Sequence, residues 1–307
     1  MNADVAPGDA GERRRCGFVA LLGAPNVGKS TLLNRVVGSK VSIVTPKVQT
    51  TRTRVLGIAI RGGAQIAFVD TPGIFRPRRR LDRAMVAAAW GGAKDADAVV
   101  VLVDAAKGAC SDTRSIVAGL KDTGRKAVAA INKIDLVKHS SLLALAADLN
   151  AEGVFTDIFM ISAVSGDGVE DLVAKLVSML PEGPWLYPED QVSDIPRSLL
   201  AAEITREQVY LQLQQELPYA AAVETESWTP FADGSVRIDQ VIFVARDSQK
   251  PIVVGKGGQR IKSIGAAARA EMEQVFGHRV HLFLHVKVEE WAERREHYRA
   301  LGLEYDV

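Results

Sequence analysis

The chain has 307 residues, 47% of them hydrophobic and 24% charged; this length suits two ordinary domains, and this composition excludes a disordered or fibrous protein. No apolar run approaches the ~20 residues that cross a bilayer. The net charge of +1 hides an uneven split, with 24 Lys and Arg against 17 Asp and Glu in residues 1–180 but 14 against 20 in residues 181–307, so bulk attraction alone cannot hold a polyanion on the C-terminal part.

Residues 1–15 are polar, end in Arg13-Arg14-Arg15 and lack the apolar centre of a signal peptide. They predict a loose N-terminal tail on a cytoplasmic protein. The two cysteines, Cys16 and Cys110, have no metal-ligand spacing. We expect both to be reduced thiols that are mostly buried.

Short β-rich apolar runs alternate with helix-like stretches from residue 17 to about residue 180. The predicted strands are 18–22, 55–60, 65–70, 98–103, 127–131 and 158–162. The predicted helices are 29–37, 81–93, 112–122, 142–150 and 169–180. This alternation is typical of an α/β domain with a mainly parallel sheet and helices on both faces, and ligands bind such sheets at the C-terminal ends of the strands.

A proline-rich polar stretch after residue 181 predicts a linker, and a second pattern follows it. Its predicted order is a helix over 197–215, strands over 220–228 and 235–245 joined by a hairpin, a glycine-rich turn at 255–258, a helix over 259–276 and a strand over 280–288. We therefore divide the chain into a tail (1–15), a first domain (16–181), a linker (182–196), a second domain (197–290) and a C-terminal tail (291–307).

The segment Gly23-Ala24-Pro25-Asn26-Val27-Gly28-Lys29-Ser30 follows a predicted strand and opens a predicted helix, which is the context that a P-loop requires. Its glycines let several N–H groups converge on phosphates, and the helix N-terminus adds its positive end. We expect Lys29 to reach the β- and γ-phosphates, the Ser30 hydroxyl to bind Mg²⁺, and Thr31 to contact the α-phosphate.

Two further segments are expected to sense the terminal phosphate. In Asp70-Thr71-Pro72-Gly73, Asp70 can reach Mg²⁺ through a water and the Gly73 amide can meet the γ-phosphate. In Gln49-Thr50-Thr51-Arg52, Thr50 and Thr51 compete to be the metal-binding threonine of a first switch, and we favour Thr51 because it directly precedes Arg52. We assign catalysis to Lys29, Thr51 and Gly73, and the metal to Ser30, Thr51 and Asp70.

The residues after Gly73 are Ile74 and Phe75, where many GTP-hydrolysing proteins place a water-orienting glutamine. Neither side chain can polarise water. We therefore predict slow intrinsic turnover that an assembled partner raises, with Ile74 still counted among the nucleotide contacts.

The segment Asn132-Lys133-Ile134-Asp135 follows a predicted strand and predicts selection of guanine. The Asp135 carboxylate can accept from guanine N1–H and its 2-amino group, whereas adenine would leave a buried carboxylate facing an acceptor. Asn132 can hold the neighbouring loops, and the Lys133 stem can cover the ring. Ser162-Ala163 is expected to present backbone N–H groups to guanine O6, with a plain strand-to-loop turn as the alternative.

These motifs resemble the translation-factor-related branch of P-loop GTPases, and the strings at 49–52 and 70–74 resemble the Era group within it. The match extends into the second domain, where Gly255-Lys256-Gly257-Gly258 resembles the signature of the KH domain that Era proteins carry. The resemblance spans roughly Cys16 to the C-terminus. It departs from the group in the Arg-rich second switch, Arg76-Pro77-Arg78-Arg79-Arg80.

The resemblance implies a Ras-like GTPase domain followed by a smaller α+β type II KH domain. It implies GTP or GDP and Mg²⁺ as ligands, 16S rRNA near its 3′ end and the 30S subunit as partners, a role in 30S assembly, and peripheral association with the inner membrane; we expect a monomer. In a KH domain the glycine-rich turn lets the backbone approach single-stranded RNA. The expected RNA contacts are Gly255, Lys256, Gly257, Gly258, Arg260 and Lys262.

Two other functions compete with this interpretation. One is a constitutive RNA-binding adaptor whose nucleotide site is structural. The other is a membrane-linked signalling GTPase, which the absence of a lipidation motif disfavours. Under the leading hypothesis, residues 182–196 act as the hinge through which the switches reorient the KH domain.

Overall fold

The computed structural model describes residues 14–77, 79–214 and 217–307. Most of the predicted N-terminal tail, Arg78 of the Arg-rich segment and Gln215 of the predicted helix 197–215 lie outside the described residues. Within the described ranges, no helix combines the length and apolar character needed to cross a membrane.

The first domain is built on a six-stranded sheet in the order β2-β3-β1-β4-β5-β6. The strands are β1 (Arg15–Gly23), β2 (Val55–Arg61), β3 (Ala64–Asp70), β4 (Ala98–Asp104), β5 (Ala127–Asn132) and β6 (Phe155–Ile161). Only the pairing of the edge strand β2 with β3 is antiparallel. The prediction of a mainly parallel sheet is therefore confirmed, although β6 begins at Phe155, three residues before the predicted strand.

Helices cover both faces of this sheet: α1 (Lys29–Val37), α2 (Arg80–Asp95), α3 (Ser111–Asp122), α4 (His139–Ala151) and α5 (Val169–Met179). Successive side chains of a strand point to opposite faces, so β1 feeds two cores. Val19 and Leu21 pack with α1 and α5, whereas Ala20 and Leu22 pack with α2, α3 and α4. β4 is apolar and buried along nearly its whole length, as expected for a strand covered on both sides.

The second domain is a three-stranded sheet, β7-β8-β9, with helices packed against it. Its elements are α6 (Arg197–Gln212), β7 (Ala221–Pro230), β8 (Val236–Val244), α7 (Lys250–Val254), α8 (Gln259–Phe276) and β9 (Val280–Val288). β7 runs antiparallel to β8, and β9 runs parallel to it. This order confirms the predicted α+β arrangement; α6 ends at Gln212 because Leu213 turns into the core in an extended conformation.

Residues 182–196, expected to be a free hinge, lie along the first domain as a strap. Gln65 accepts from the amides of Leu186 (2.9 Å) and Tyr187 (3.0 Å) and donates to Tyr187 O (2.8 Å). Farther on, Ile58 N donates to Val192 O at 2.9 Å. The edge strand β2 supplies the bond to Val192 and the β3 residue Gln65 supplies the others, so this segment is held in place rather than hinged along its length.

Residues 291–307, assigned to a C-terminal tail, form part of the folded body. They contain a short helix, α9 (Arg295–Ala300), and their buried side chains pack between the two domains. The cluster joins Leu81 and Met85 of α2 to Val241 and Phe243 of β8 through four C-terminal side chains: Trp291, Tyr298, Leu301 and Leu303.

Candidate nucleotide and RNA site

The P-loop connects β1 to α1 and adopts a backbone that only glycine accommodates at Gly28. Gly28 has φ 100°, and a Cβ there would lie 2.3 Å from Asn132 Nδ2. The Lys29 ammonium is buried beneath the loop and donates to Gly23 O (3.2 Å) and Ala24 O (3.3 Å). Desolvation lowers the pKa of Lys29 to about 8, although the Asp70 charge opposes this shift.

Three hydroxyl groups converge on the Asp70 carboxylate at the end of β3. Asp70 Oδ2 accepts from Ser30 Oγ (2.6 Å), Ser42 Oγ (2.9 Å) and Thr51 Oγ1 (3.4 Å). Ser30 Oγ and Thr51 Oγ1 are 3.0 Å apart. Among the described residues, no group donates to the other buried oxygen, Asp70 Oδ1. A cluster of hard oxygen donors with an unpaired carboxylate oxygen fits Mg²⁺.

Thr50 and Thr51 point in different directions. Thr51 reaches the oxygen cluster, whereas Thr50 Oγ1 lies 2.6 Å from both Thr45 Oγ1 and Lys47 O, within its own loop. The geometry therefore favours Thr51 over Thr50 as a metal ligand.

The loop from Ile43 to Thr51 lies over the P-loop and closes one side of a cavity of about 450 Å³. Asn26 Nδ2 donates to Pro46 O at 2.7 Å and ties the two loops together. Lys107, which we did not predict as a site residue, also lines this cavity. The cavity brings together most of the predicted phosphate-end residues: Pro25, Asn26, Gly28, Lys29, Ser30, Thr31, Thr51 and Gly73.

The segment Thr71–Ile74 supports the P-loop from below. Thr71 Oγ1 donates to Leu21 O (2.7 Å), and Ile74 N donates to Gly23 O (3.0 Å). The Ile74 side chain is buried in the core, so the predicted nucleotide contact of Ile74 would come from its backbone rather than from its side chain. A Cβ at Gly73 would lie 3.0 Å from Pro25 atoms, which shows how closely this segment approaches the P-loop.

The segment 132–135, predicted to select guanine, is held in place by hydrogen bonds of Asn132 and Lys133 to neighbouring residues. Asn132 Nδ2 donates to Val27 O (2.7 Å), while its Oδ1 accepts from Ala163 N (2.9 Å). Lys133 Nζ donates to Asn26 O (2.6 Å) and pairs with Asp104 at 2.7 Å. Asp104 is a positioning residue that the sequence reading missed. Asp135 follows in a short 3₁₀ turn with an exposed side chain.

Ser162 and Ala163, predicted to present backbone N–H groups to guanine O6, directly follow β6. The Ser162 amide donates to Asp167 O, and the Ala163 amide donates to Asn132 Oδ1, both at 2.9 Å. Both N–H groups thus have acceptors within the protein. The bond from the Ala163 amide to Asn132 is one that the spacing of the motifs did not indicate.

The glycine-rich turn of the second domain joins α7 to α8. Gly255, Gly257 and Gly258 have φ of 74°, 59° and 76°, so the turn needs residues that accept positive φ. Lys256 and Arg260 are exposed beside it, and the exposed Ile252 adds an apolar surface. Lys262 is also exposed, but it lies two positions after Arg260 and faces a different side of the helix.

The two domains meet at the first switch. Arg52 is buried and donates to Ala221 O (3.0 Å) and Tyr210 Oη (2.9 Å) of the second domain. Arg206 of α6 reaches back to the backbone of Gln49 and Thr50. From the sequence, Arg52 enters only as part of the 49–52 segment, without an interdomain role, and Arg206 is not marked, because helical periodicity does not distinguish a buried arginine from an exposed one.

Comparisons with known proteins agree with this arrangement. A family model described as 50S ribosome-binding GTPase matches residues 18–133, and a KH domain model matches residues 216–292. The GTPase Era of Caulobacter vibrioides is 57% identical over 314 residues, which is 97% of this chain and 99% of the relative. The GTPase Era of Agrobacterium fabrum is 59% identical over 292 residues, which is 95% of this chain and 92% of the relative.

Two solved structures are similar over nearly the whole chain. One is an Aquifex aeolicus Era variant bound to GDP·AlF4⁻, with 40% identity, a TM-score of 0.89 and coverage of 95% of this chain and all of that one. The other is Era in complex with MgGDPNP and nucleotides 1506–1542 of 16S ribosomal RNA, with 39% identity, a TM-score of 0.90 and coverage of 96% of this chain and all of that one.

Proposed function

The chain belongs to the Era family of GTPases, and we propose that it is a GTP-hydrolysing switch that binds 16S rRNA near its 3′ end and assists assembly of the 30S subunit. Its nucleotides are GTP and GDP with Mg²⁺. One observation carries the proposal: the P-loop Lys29, the oxygen donors Ser30 and Thr51, and Lys133 of the segment 132–135 line one cleft, in a chain that also bears a KH turn.

At the phosphate end of the site, the positive charge of Lys29 is in place before a nucleotide binds. The Lys29 ammonium donates to two carbonyls at 3.2 and 3.3 Å and can exchange them for phosphate oxygens, whose negative charge would offset the cost of burying the ammonium. Ser30, Thr51 and Asp70 would hold Mg²⁺. When bound, Mg²⁺ neutralises charge that develops on the β- and γ-phosphates.

The base end selects guanine through Asp135, whose exposed carboxylate can accept two hydrogen bonds from the guanine edge. Lys133 and Asn132 hold the motif against the P-loop, so the base and phosphate ends keep a fixed separation. This fixed separation supports selection of guanine by a preformed site rather than by movement of the loops on binding.

The two residues after Gly73 do not supply a side chain that orients water. Ile74 is buried and Phe75 packs against the interdomain cluster, and both side chains are apolar. We expect slow intrinsic turnover, and we propose that partner assembly raises it. Steady-state phosphate release would separate this switch from a constitutive adaptor, which hydrolyses no GTP.

The RNA partner is proposed from the KH turn and from the solved relative that holds a 16S fragment. The family model that matches residues 18–133 is described by the large subunit instead. That match covers only the first domain, whereas the relative that holds the 16S fragment is covered over its full length. The small subunit is therefore the better-supported partner.

We also propose that the protein acts as a monomer in the cytoplasm, with peripheral association at the inner membrane. The Arg-rich segment before α2 is more consistent with a solvated or RNA-facing loop than with a membrane anchor. Fractionation of cells with and without a salt wash would measure the membrane-associated share.

The test is RNA binding by fluorescence anisotropy with an RNA of nucleotides 1506–1542 of 16S rRNA, in GDPNP and in GDP. We expect tighter binding with GDPNP, and a loss of about tenfold or more in Lys256→Asp because a phosphate contact becomes a repulsion. Lys138→Asp changes an exposed lysine of the first domain and serves as the matched control.

Equal RNA affinity in GDPNP and in GDP would contradict the proposed nucleotide switch. An RNA affinity of Lys256→Asp equal to that of wild type would contradict the KH turn as the RNA site. Co-sedimentation with purified 30S and 50S subunits decides the subunit. Selective pelleting with 50S would contradict the proposed partner.

A further inference from the structure

We infer that Arg206, a residue of the second domain, is a positioning residue for GTP hydrolysis: it holds the backbone directly before Thr51, and thereby holds the Thr51 hydroxyl at the metal-binding oxygens. This inference rests on the GTPase function proposed above. It makes the second domain part of the hydrolysis site rather than only its RNA-binding appendage.

The contacts join α6 to the first switch. Arg206 Nη2 donates to Thr50 O, and Nη1 donates to Gln49 O at 3.5 Å. Tyr210, one turn farther along α6, donates its hydroxyl to Gln49 O at 3.4 Å. One turn before Tyr210 on the same helix, Glu207 accepts from Val44 N at 2.8 Å. Side chains of α6 thus hold the loop from Ile43 to Thr51 near both of its ends.

Arg206 itself is rigidly placed. Its side chain is only 2% exposed, its Nε donates to Glu203 Oε1 at 2.8 Å, and its guanidinium lies 5.1 Å from the Tyr210 ring centroid. Burial disfavours its charge, but Glu203 and Tyr210 outweigh burial and hold the pKa of Arg206 above its ordinary value. The guanidinium therefore stays charged, with a fixed direction for its donors.

The backbone that Arg206 holds is strained. Gln49 has φ 58°, a left-handed conformation that residues other than glycine adopt only where their surroundings enforce it. Its carbonyl receives bonds from α6, and its side-chain amide donates to Asp82 Oδ1 at 2.7 Å, at the start of α2. The first switch, the start of α2 and the second domain therefore meet at Gln49.

Thr51 lies between two residues that are both tied to the second domain. Thr50 is held by Arg206, and Arg52 inserts its guanidinium into the second domain, where it also approaches Tyr219 O at 3.3 Å. With both neighbours fixed, the Thr51 hydroxyl reaches Ser30 and Asp70. Displacement of α6 would free this backbone and let the hydroxyl leave the oxygen cluster.

The experiment compares wild type with Arg206→Lys and with a double variant, Arg206→Met with Glu203→Gln. The double variant removes both buried charges together, because Arg206→Met alone would leave the Glu203 carboxylate buried and unpaired. Arg197→Ala, at an exposed position that opens the same helix, is the matched control. Each full-length protein is first checked for a cooperative thermal transition.

We expect kcat for GTP to fall about 10- to 100-fold in the double variant, because misplacement of a catalytic group by about 1 Å has an effect of this size. KM and GDPNP affinity should change less than about threefold. Arg206→Lys should be intermediate, since lysine keeps the charge but cannot reach both carbonyls in a fixed fork. Arg197→Ala should match wild type.

A second measurement does not depend on turnover. Hydrogen–deuterium exchange of the segment 43–54 with GDPNP and Mg²⁺ should rise in the double variant and stay at the wild-type level in Arg197→Ala. A folded double variant with wild-type kcat and wild-type exchange would overturn the inference. Wild-type protein that hydrolyses no GTP would instead overturn the proposed function, so the two failures are distinguishable.

Discussion

Asp70 has a buried carboxylate, and its Oδ1 oxygen receives no hydrogen bond from the described residues. Burial raises its pKa, against the opposing Lys29 charge and three hydroxyl donors. The same burial lowers the pKa of Lys29, so for both groups desolvation outweighs their mutual attraction. A buried acid whose second oxygen lacks a donor among the described residues is poised for a cation, which would relieve the cost of its charge.

The two adjacent threonines of the first switch give a test at the scale of single residues. Thr51→Ala should lower kcat about 100-fold, because it removes the hydroxyl that joins Ser30 and Asp70 and so weakens the electrostatic stabilisation of the transition state. Thr50→Ala removes only contacts within the loop and should lower kcat less than about tenfold. Single-turnover phosphate release measures both.

Each variant serves as the other's control, since both lose a threonine from the same loop. Equal losses in the two variants would show that the loop's overall order, rather than the Thr51 hydroxyl, limits hydrolysis. Nucleotide affinity by calorimetry separates binding from turnover in both.

At the scale of elements, the segment 182–196 covers the edge of the first domain's sheet rather than acting as a free linker. Parallel sheets have edges with unpaired backbone groups, and proteins cover them with loops or strands. Here the strap bonds to Ile58 at its far end and is fixed at its near end by one buried glutamine, Gln65. A movement of the second domain must therefore bend at the strap's end, near Pro196, and not along its length.

Gln65→Ala should destabilise the protein by about 1–3 kcal/mol, because it removes three part-buried hydrogen bonds to the backbone of Leu186 and Tyr187. Urea unfolding measures the loss, and limited proteolysis within residues 182–196 should become faster. Gln274→Ala, at an exposed position of α8, is the control and should change neither. Unchanged proteolysis in Gln65→Ala would contradict the anchoring role.

At the scale of the whole molecule, the C-terminal segment joins the domains. Trp291 lies 5.0 Å under the Arg52 guanidinium, and its indole donates to Ala220 O at 2.8 Å. Farther along, Arg80 of α2 lies 4.4 Å over the Tyr305 ring, and Arg83 donates to Val307 O. The segment thus touches the first switch, the start of α2 and the second sheet at once.

Trp291→Ala should cost about 3–5 kcal/mol, the usual range for removing a large buried aromatic side chain. Because the two domains share this cluster, we expect one calorimetric unfolding transition in wild type and two in the variant. Trp185→Ala, in the strap, removes a tryptophan that bonds within the first domain and should keep one transition. A single transition in Trp291→Ala would show that other contacts couple the domains.

The sequence by itself determined the two domains and the order of their elements, and it predicted residues of the phosphate end that the fold brings to one cavity. These follow from local patterns: period-two and helical apolar spacing, glycines where the backbone must turn, and motifs whose residues lie close along the chain. Helices α1 and α8 and strand β9 match their predicted limits for this reason.

Only the tertiary structure decided which threonine faces the oxygen cluster, that the Ala163 amide already bonds to Asn132, and that α6 holds the first switch through Arg206. These depend on directions of side chains and on contacts between residues far apart in the chain, 31 positions for Ala163 with Asn132 and more than 150 for Arg206 with Gln49 and Thr50, as also for Arg52 with Tyr210. Local periodicity carries no information on such pairs, because the free energy of a buried charge is set by the partner that folding brings to it.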